Sequence, residues 1–453
     1  MKGRPWYFAV VAVALSLASG VLLAFALPPR GASFLGWIAF LPLLVASRIT
    51  RPLIAAGCGM LSAITCAWIL AGHWEVAAEL GNLIAAFGGL AVVFAFIVGI
   101  ASAAAGRTGI AVWPLLVACA GVTGELLGTC VFPVSVAISQ HENAVALRIA
   151  SYTGIWGVSF LIWLVPASVI AFAIKPRAAW PLFGLGAAVM LAGVFVGFPE
   201  EHSGRTIQVA AIQAPDPHTA ADETDIVAPR PEVVVWPEHL MDSRERRPYE
   251  AAERSGVYVV ASFLEPGGAK PRNTARLVSC KGKTIASSQK QHLFGRERMD
   301  YVRGGSSRPA KCGGFTAGIA ICFDTEFTGV TRDLVRKGAD IILVPNQDPY
   351  MKNSLFHYLH AAVIPFRAAE NAVPIVWSEC ACLSAIYDGY GRRIARAPEH
   401  KIAHVHGTVA LREGRTFFTC AGDYFAYLCA GALALSVVAM VRGRLRRRQR
   451  AST

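Results

Sequence analysis

Gly318-Ile319-Ala320-Ile321-Cys322-Phe323-Asp324 is an apolar, β-branched run that ends on a thiol and a carboxylate. It closes a longer strand-like segment, 315–322, and similar runs stand at 206–212, 231–236, 256–263, 341–345, 374–377 and 383–387. Helical patterns at 328–337 and 354–370 lie between several of them. Hydrophobic strands separated by amphipathic helices predict a layered α/β domain. Asp388-Gly389 and Gly391 predict a hairpin turn after the last run.

Outward from this segment the composition changes. The chain has 453 residues, of which 54% are hydrophobic and 16% charged, against about 25% charged in soluble proteins. Residues 5–198 carry few charges, 199–416 read as an ordinary globular protein, and 417–441 are apolar again. Two solvents are implied, lipid for the flanks and water for the middle. The apolar stretches fall near 5–28, 33–48, 52–72, 80–105, 108–133, 147–174, 179–198 and 417–441, and most approach the roughly 20 residues that cross a bilayer as helix. The stretch at 33–48 is short and suits a tilted or shallow helix. Lys2 and Arg4 before the first stretch also fit a signal peptide, but six further apolar runs favour a retained helix. The expected organisation is a seven-helix transmembrane domain over 1–198, an extracytoplasmic domain over 199–416, a closing helix over 417–441 and a basic tail over 442–453.

Charge gives the orientation. The net charge of +13 would suggest nucleic acid if it lay on the soluble part, but Arg442, Arg444, Arg446, Arg447, Arg448 and Arg450 follow the last apolar run directly. A basic block in that place is a cytoplasmic stop that attracts anionic headgroups, so membrane lipids are expected as partners and nucleic acid is not. Lys2, Arg4, Arg48, Arg51, Arg107, Lys175 and Arg177 fall on the same side if seven helices precede residue 199, while His73, Glu75, Glu79, His141 and Glu142 fall opposite. Arg30 and Arg148 are exceptions. Both termini are therefore expected in the cytoplasm and 199–416 in the periplasm. Among the eleven cysteines, Cys58, Cys66, Cys119, Cys130, Cys420 and Cys429 lie in apolar runs and read as packing residues. Cys380-Ala381-Cys382 lacks the second pair of a zinc site, so no metal or other cofactor is expected. A periplasmic setting permits a Cys280–Cys312 disulfide, and free thiols are equally compatible.

Three polar residues stand at or near the ends of strand-like runs, where layered α/β domains place their sites. Glu238 follows Val233-Val234-Val235-Trp236-Pro237, Lys290 sits in Ser287-Ser288-Gln289-Lys290-Gln291-His292-Leu293-Phe294, and Cys322 ends its run. A thiol is a good nucleophile only as thiolate and needs a base or cation beside it. A carboxylate can take its proton, and an ammonium can hold a developing oxyanion. Taken singly, each of these is more often a small buried thiol or a solvated rim charge. His357 and His360 share a face of the expected 354–370 helix but lack a zincin pattern and read as structural. Glu125, inside an apolar run, is costly there unless it faces protein or water, and reads as a support residue.

Together, the Trp-Pro-Glu, Lys-x-His-Leu-Phe and Ile-Cys-Phe-Asp elements resemble the Glu-Lys-Cys signature of the nitrilase superfamily. Leu35-Gly36-Trp37-Ile38-Ala39-Phe40-Leu41-Pro42-Leu43-Leu44 and Thr153-Gly154-Ile155-Trp156-Gly157-Val158-Ser159-Phe160-Leu161 resemble segments of the apolipoprotein N-acyltransferase family. That resemblance implies a polytopic helical protein of the bacterial inner membrane with an inserted α/β nitrilase-type domain, an αββα sandwich. It implies that Cys322 attacks a phospholipid ester to give a thioester, which passes to the amine of a lipoprotein or another acceptor. Glu238 would move the proton, and Lys290 with the backbone N–H of Phe323 would hold the oxyanion. Glu297 resembles a second glutamate that positions the lysine, with a salt bridge to Arg296 or Arg298 as the plain alternative. Asp324 completes the supporting set.

The pattern departs from the family in places. Between 212 and 233, Pro215, Pro217, Asp222, Asp225 and Pro229 occupy the space of a long helix, so a helix there is expected to be very short or absent. Cys322-Phe323-Asp324 stands for Cys-Tyr-Glu, and Asn346-Gln347-Asp348-Pro349-Tyr350 for a loop like Asn-Asp-Ala-Trp-Phe. This profile resembles a shortened branch, the TraB-type conjugal transfer proteins. The competing functions are a carbon–nitrogen hydrolase, in which water takes the acyl group, and a non-catalytic membrane scaffold.

Overall fold

The computed structural model describes residues 7–71, 80–130, 133, 135–195, 197, 204–348, 355–412 and 414–452. Lys2, Arg4, the 73–79 loop, Pro349 and Tyr350 lie outside the described residues. The chain forms two compact units, one of 1–140, 155–196 and 423–453, the other of 141–154 and 197–422.

The first unit opens with α1 (Tyr7–Ala26), α2 (Leu41–Ile49), α3 (Pro52–Ala71), α4 (Leu80–Ala104) and α5 (Trp113–Gly128). The short run at 33–48 is a 3-10 turn, Ser33–Trp37, followed by the nine residues of α2. At about 1.5 Å per residue that helix covers less than half of a 30 Å hydrocarbon layer. The run at 147–174 is divided. Asn143 caps α6 (Ala144–Thr153), accepting from Val145 and Ala146 N–H, and Gly154 at φ +69 ends it before α7 (Ile155–Ile174). α6 belongs to the second unit, while α7 and α8 (Pro176–Phe195) return to the first. Among the described residues, Tyr7–Ala26, Pro52–Leu70, Ile155–Ile174 and Tyr424–Arg446 are long and apolar enough to cross a membrane.

α5 and α7 meet closely because Gly121 has no side chain: a Cβ there would stand 2.2 Å from the Trp163 ring. One turn on, Glu125 is buried and accepts from Ser135 Oγ (2.8 Å), Ser159 Oγ (2.6 Å) and Trp163 Nε1 (3.2 Å). Those neutral donors replace water around a carboxylate in apolar surroundings.

The second unit is a two-sheet sandwich. Its strands and helices run β1 (Thr206–Gln213), α9 (Pro217–Ile226), β2 (Val233–Val235), β3 (Met241–Asp242), α10 (Arg247–Ser255), β4 (Tyr258–Glu265), β5 (Arg272–Val278) and β6 (Thr284–Gln289). They continue with α11 (Glu297–Asp300), β7 (Ala310–Cys312), β8 (Phe315–Ile319), α12 (Thr328–Arg336), β9 (Ile341–Pro345), α13 (Leu355–Ala361) and α14 (Ile364–Asn371). β10 (Ile375–Ser378), β11 (Ala385–Tyr387), β12 (Arg393–Arg396), β13 (Ala403–Ala410) and α15 (Phe417–Ala421) complete it. The first sheet is ordered β13-β1-β2-β4-β5-β6, with β3 on β4, and the second β12-β11-β10-β9-β8-β7. β1 and β2 pack on β10 and β9. The centres of both sheets are parallel and buried on both faces, as in Val233-Val234-Val235 and Ile341-Ile342-Leu343-Val344. Ala251 and Ala252 of α10 with Ala220 and Ala221 of α9 cover the first sheet through Ala210, Val234 and Trp236, and Val330, Leu334, Ile364 and Ala368 cover the second. The layers are α-β-β-α, as expected.

Several local expectations change. A ten-residue helix does follow β1: Pro217 occupies its first turn, where a missing N–H costs nothing, and Asp216 caps it by accepting from His218 and Thr219 N–H at 2.9 and 3.0 Å. The 354–370 helix is instead α13 and α14, separated before Pro365. The Asp388–Gly391 turn joins β11 to β12, and β13 still follows. The apolar stretch at 417–441 divides at Gly422 (φ +66) into α15, in the second unit, and α16 (Tyr424–Ser452), in the first, which continues through the arginine block. Cys130 and Cys420 are exposed, not packed, and Cys280 and Cys312 are unpaired thiols.

Candidate active site

Each proposed residue leaves the end of a strand. After β2, Trp236 N–H donates to Val260 O and Glu238 N–H to Asn346 O at 3.2 Å, which turns the Glu238 side chain inward. Lys290 follows β6 directly, its N–H donating to Asn273 O at 2.9 Å. Beyond β8, Cys322 takes φ +47 and starts a 3-10 turn, Cys322–Glu326. Left-handed backbone at a residue with a Cβ is strained and persists only where its surroundings hold it. Here Thr325 Oγ1 donates to Cys322 O at 2.9 Å, and Asp324 Oδ2 accepts from Ile321 N–H at 3.3 Å.

Glu238, Lys290 and Cys322 are all buried, at 2%, 2% and 6% exposure, and near enough for the charges of Glu238 and Lys290 to act on the thiol. Lys290 Nζ lies 3.0 Å from Glu238 Oε1 and 2.8 Å from Glu297 Oε1. Glu297 thus pairs with Lys290, not with Arg296 or Arg298, and its other oxygen accepts from Phe294 N–H at 2.8 Å. Asp324 acts on the loop after Lys290: Oδ1 accepts from Gln291 N–H (3.0 Å), His292 N–H (2.8 Å) and, at 3.1 Å, meets His292 Nδ1. Phe323 packs its ring beside Phe294 and Phe327 at centroid distances of 5.0 and 5.4 Å, in the first residues of the turn that begins at the thiol.

Burial and charge set the protonation. Burial pushes the Cys322 thiol well above its ordinary value, Glu238 adds to this, and Lys290 opposes it. Burial also raises Glu238, against Lys290 and with Glu297. Burial disfavours the Lys290 ammonium, but the acidic groups around it, with the Glu238 and Glu297 carboxylates charged at rest, outweigh that and raise it well above the usual lysine range. The resting thiol is therefore protonated beside a carboxylate of increased proton affinity and a fixed cation. That set can move one proton from sulfur to carboxylate and receive negative charge on an attacked carbonyl.

Sequence reasoning missed part of the surroundings. Asn273, 1% exposed on β5, donates through Nδ2 to Glu238 Oε1. Its strand carries Arg272, Asn273, Thr274 and Arg276, so no apolar run marked it. Behind Cys322, His360 Nδ1 lies 2.9 Å from Asp348 Oδ1 and its Nε2 3.0 Å from Thr325 Oγ1. Cys322, Asp348 and His360 form one group with metal-ligand atoms within 4.8 Å of one another, and Asp348, His357 and Glu379 form another.

Comparison with known proteins follows the same division of the chain. Residues 232–414 match the carbon-nitrogen hydrolase family, and residues 19–168 match the apolipoprotein N-acyltransferase N-terminal domain. The apolipoprotein N-acyltransferase of Geobacter metallireducens is 28% identical over 511 aligned residues, covering 94% of this chain and 95% of that protein. The nitrilase of Pyrococcus abyssi is 35% identical over 131 residues, 29% of this chain and 47% of that one. A carbon-nitrogen hydrolase from Helicobacter pylori G27 aligns structurally with a TM-score of 0.40 and 15% identity, covering 45% of this chain and 89% of that one.

Proposed function

Because the chain belongs to the apolipoprotein N-acyltransferase family of the nitrilase superfamily, and so is a membrane N-acyltransferase, we propose that it carries an acyl group from phospholipid to an amine as a thioester on Cys322. Glu238 takes the thiol proton as sulfur attacks the ester carbonyl. Lys290 and the Phe323 N–H hold the tetrahedral oxyanion, and the lysophospholipid alkoxide leaves with the proton from Glu238. The acceptor amine then attacks the thioester, gives its proton to Glu238, and releases the thiol as the amide forms. The acceptor is a lipoprotein N-terminus. The short β1–β2 connection and Phe323-Asp324 after the thiol favour the TraB-type branch, with a lipoprotein of a conjugal transfer system as acceptor. The Lys/Arg distribution between the apolar stretches supports an inner-membrane protein with a periplasmic α/β unit and cytoplasmic termini.

The observation that carries this reading is Lys290 held between Glu238 and Glu297 in the buried space of Cys322. Full-length protein incubated with phosphatidylethanolamine should gain one acyl mass on the peptide bearing Cys322, and Cys322→Ala should gain none while still inserting into membranes. A wild-type protein that stays unacylated with every phospholipid class would sink the thioester. Similarity to a nitrilase favours one second reading, hydrolysis. Release of free fatty acid at an equal rate with and without an amine peptide would select it.

A further inference from the structure

Asp348, His357 and Glu379 come from three places: the loop after β9, helix α13, and the residue following β10. Their exposures are 6%, 3% and 1%, and their ligand atoms lie within 4.8 Å of one another. Donor capacity is left over there. Among the described residues, neither His357 Nδ1 nor His357 Nε2 makes a hydrogen bond, and neither does Asp348 Oδ2. Leaving such buried groups unsatisfied is unfavourable, so a partner for them is expected. His357 Nδ1 and Asp348 Oδ2 face each other at 3.9 Å, too far for a hydrogen bond.

The other valences are taken. Asp348 Oδ1 is engaged by His360 Nδ1. Glu379 accepts from Cys380 N–H (3.0 Å), Asp348 N–H (3.2 Å) and Asn346 Nδ2, three of the four acceptor positions of a carboxylate. Each of the three residues therefore keeps a lone pair for one shared space. His360 differs, since Asp348 and Thr325 occupy both of its nitrogens. Two buried carboxylates side by side also repel when both are ionised.

We propose that Asp348, His357 and Glu379 bind one divalent first-row cation of the Zn2+ or Mn2+ kind. One imidazole nitrogen and two carboxylates form a borderline-to-hard donor set that suits those ions. Bonds of about 2.1 Å place tetrahedral ligand atoms roughly 3.4 Å apart, so His357 at 3.9 Å from Asp348 must close by about 0.5 Å, and ligand atoms nearer the 4.8 Å limit by more. The ion would supply the missing positive charge and complete His357. It would also tie α13 and the end of β10 to the loop whose Asn346 O accepts from Glu238 N–H, fixing the backbone on which Glu238 turns. This site does not depend on the thioester reading.

The test uses full-length protein in detergent, stripped with chelator, given Mn2+ or Zn2+ separately, desalted and analysed for metal. About one ion per chain is expected in the wild type, with retention at least about tenfold weaker in His357→Ala and Glu379→Gln. A Cys382→Ser control, which removes the thiol 3.4 Å from His400 Nδ1, should keep full occupancy. Loading with Co2+ should give ligand-field bands without a sulfur-to-metal charge-transfer band. Wild type that retains neither ion, undiminished retention in His357→Ala, or a charge-transfer band from a thiolate would each overturn the proposal.

Discussion

Glu125 and Glu238 are both buried carboxylates, each in a different unit, and they solve that problem in opposite ways. Glu125 is surrounded by two serine hydroxyls and an indole N–H, all neutral. Glu238 is held by an amide and by an ammonium that a second carboxylate shares. Neutral donors satisfy a carboxylate without supplying a counter-charge. An ammonium between two carboxylates creates a field that depends on every member and can respond when a thiol loses its proton. Buried charge alone therefore does not mark a candidate site; a counter-ion beside a titratable thiol does.

Removing the cation tests this most severely. Lys290→Met leaves Glu238 and Glu297 facing each other without compensation, and unpairing a buried charge costs about 3–5 kcal/mol. Loss of one oxyanion donor should also slow thioester formation by about 10²–10³-fold. Denaturant melts and single-turnover acylation would measure the two effects separately. Retention of near wild-type acylation would remove Lys290 from the mechanism.

pH sharpens the same contrast. Burial and Glu297 raise Glu238 against the pull of Lys290, and only the ionised carboxylate can accept the thiol proton. Single-turnover acylation should therefore fall as pH drops through the raised Glu238 value, about tenfold per pH unit below it. The break should lie above the ordinary glutamate range near about 4.3. A rate flat down to that range would show that Glu238 is not the proton acceptor.

The smallest effects belong to the helical unit. Glu125→Leu strands Ser135, Ser159 and the Trp163 indole and should lower stability by about 1–3 kcal/mol, read as a lower melting temperature in detergent. Glu125→Gln keeps an acceptor for those donors and should cost less than about 1 kcal/mol, with acylation unchanged. A Gln variant as damaged as the Leu variant would mean that the negative charge itself matters there.

The three candidates were legible because Lys290 directly follows β6 while Glu238 and Cys322 stand three residues beyond β2 and β8, and the ends of strands are where layered α/β domains place their sites. The pairing of Glu297 was not, because Arg296 and Arg298 adjoin it along the chain while Lys290 is seven residues away. Asn273 was hidden because its strand has no apolar period, and the Asp348–His360 pair because its members belong to separate segments; the partners lie 35 and 12 residues apart. Pro217 shows the reverse error, since a proline read as a breaker is equally a good first residue of a helix.

Hydropathy and charge order along the chain determined by themselves that apolar helices flank an α/β unit, since solvent preference is a local property summed over about 20 residues. Strand-end residue types also announced a thiol, a carboxylate and an amine. Only the tertiary structure decided which carboxylates share the ammonium, where α6 and α15 belong, and that Asp348, His357 and Glu379 converge with valences unfilled. Such outcomes depend on distances of a few ångströms between segments far apart in sequence, and short-range electrostatics and hydrogen bonding fall away too steeply for spacing along a chain to report them.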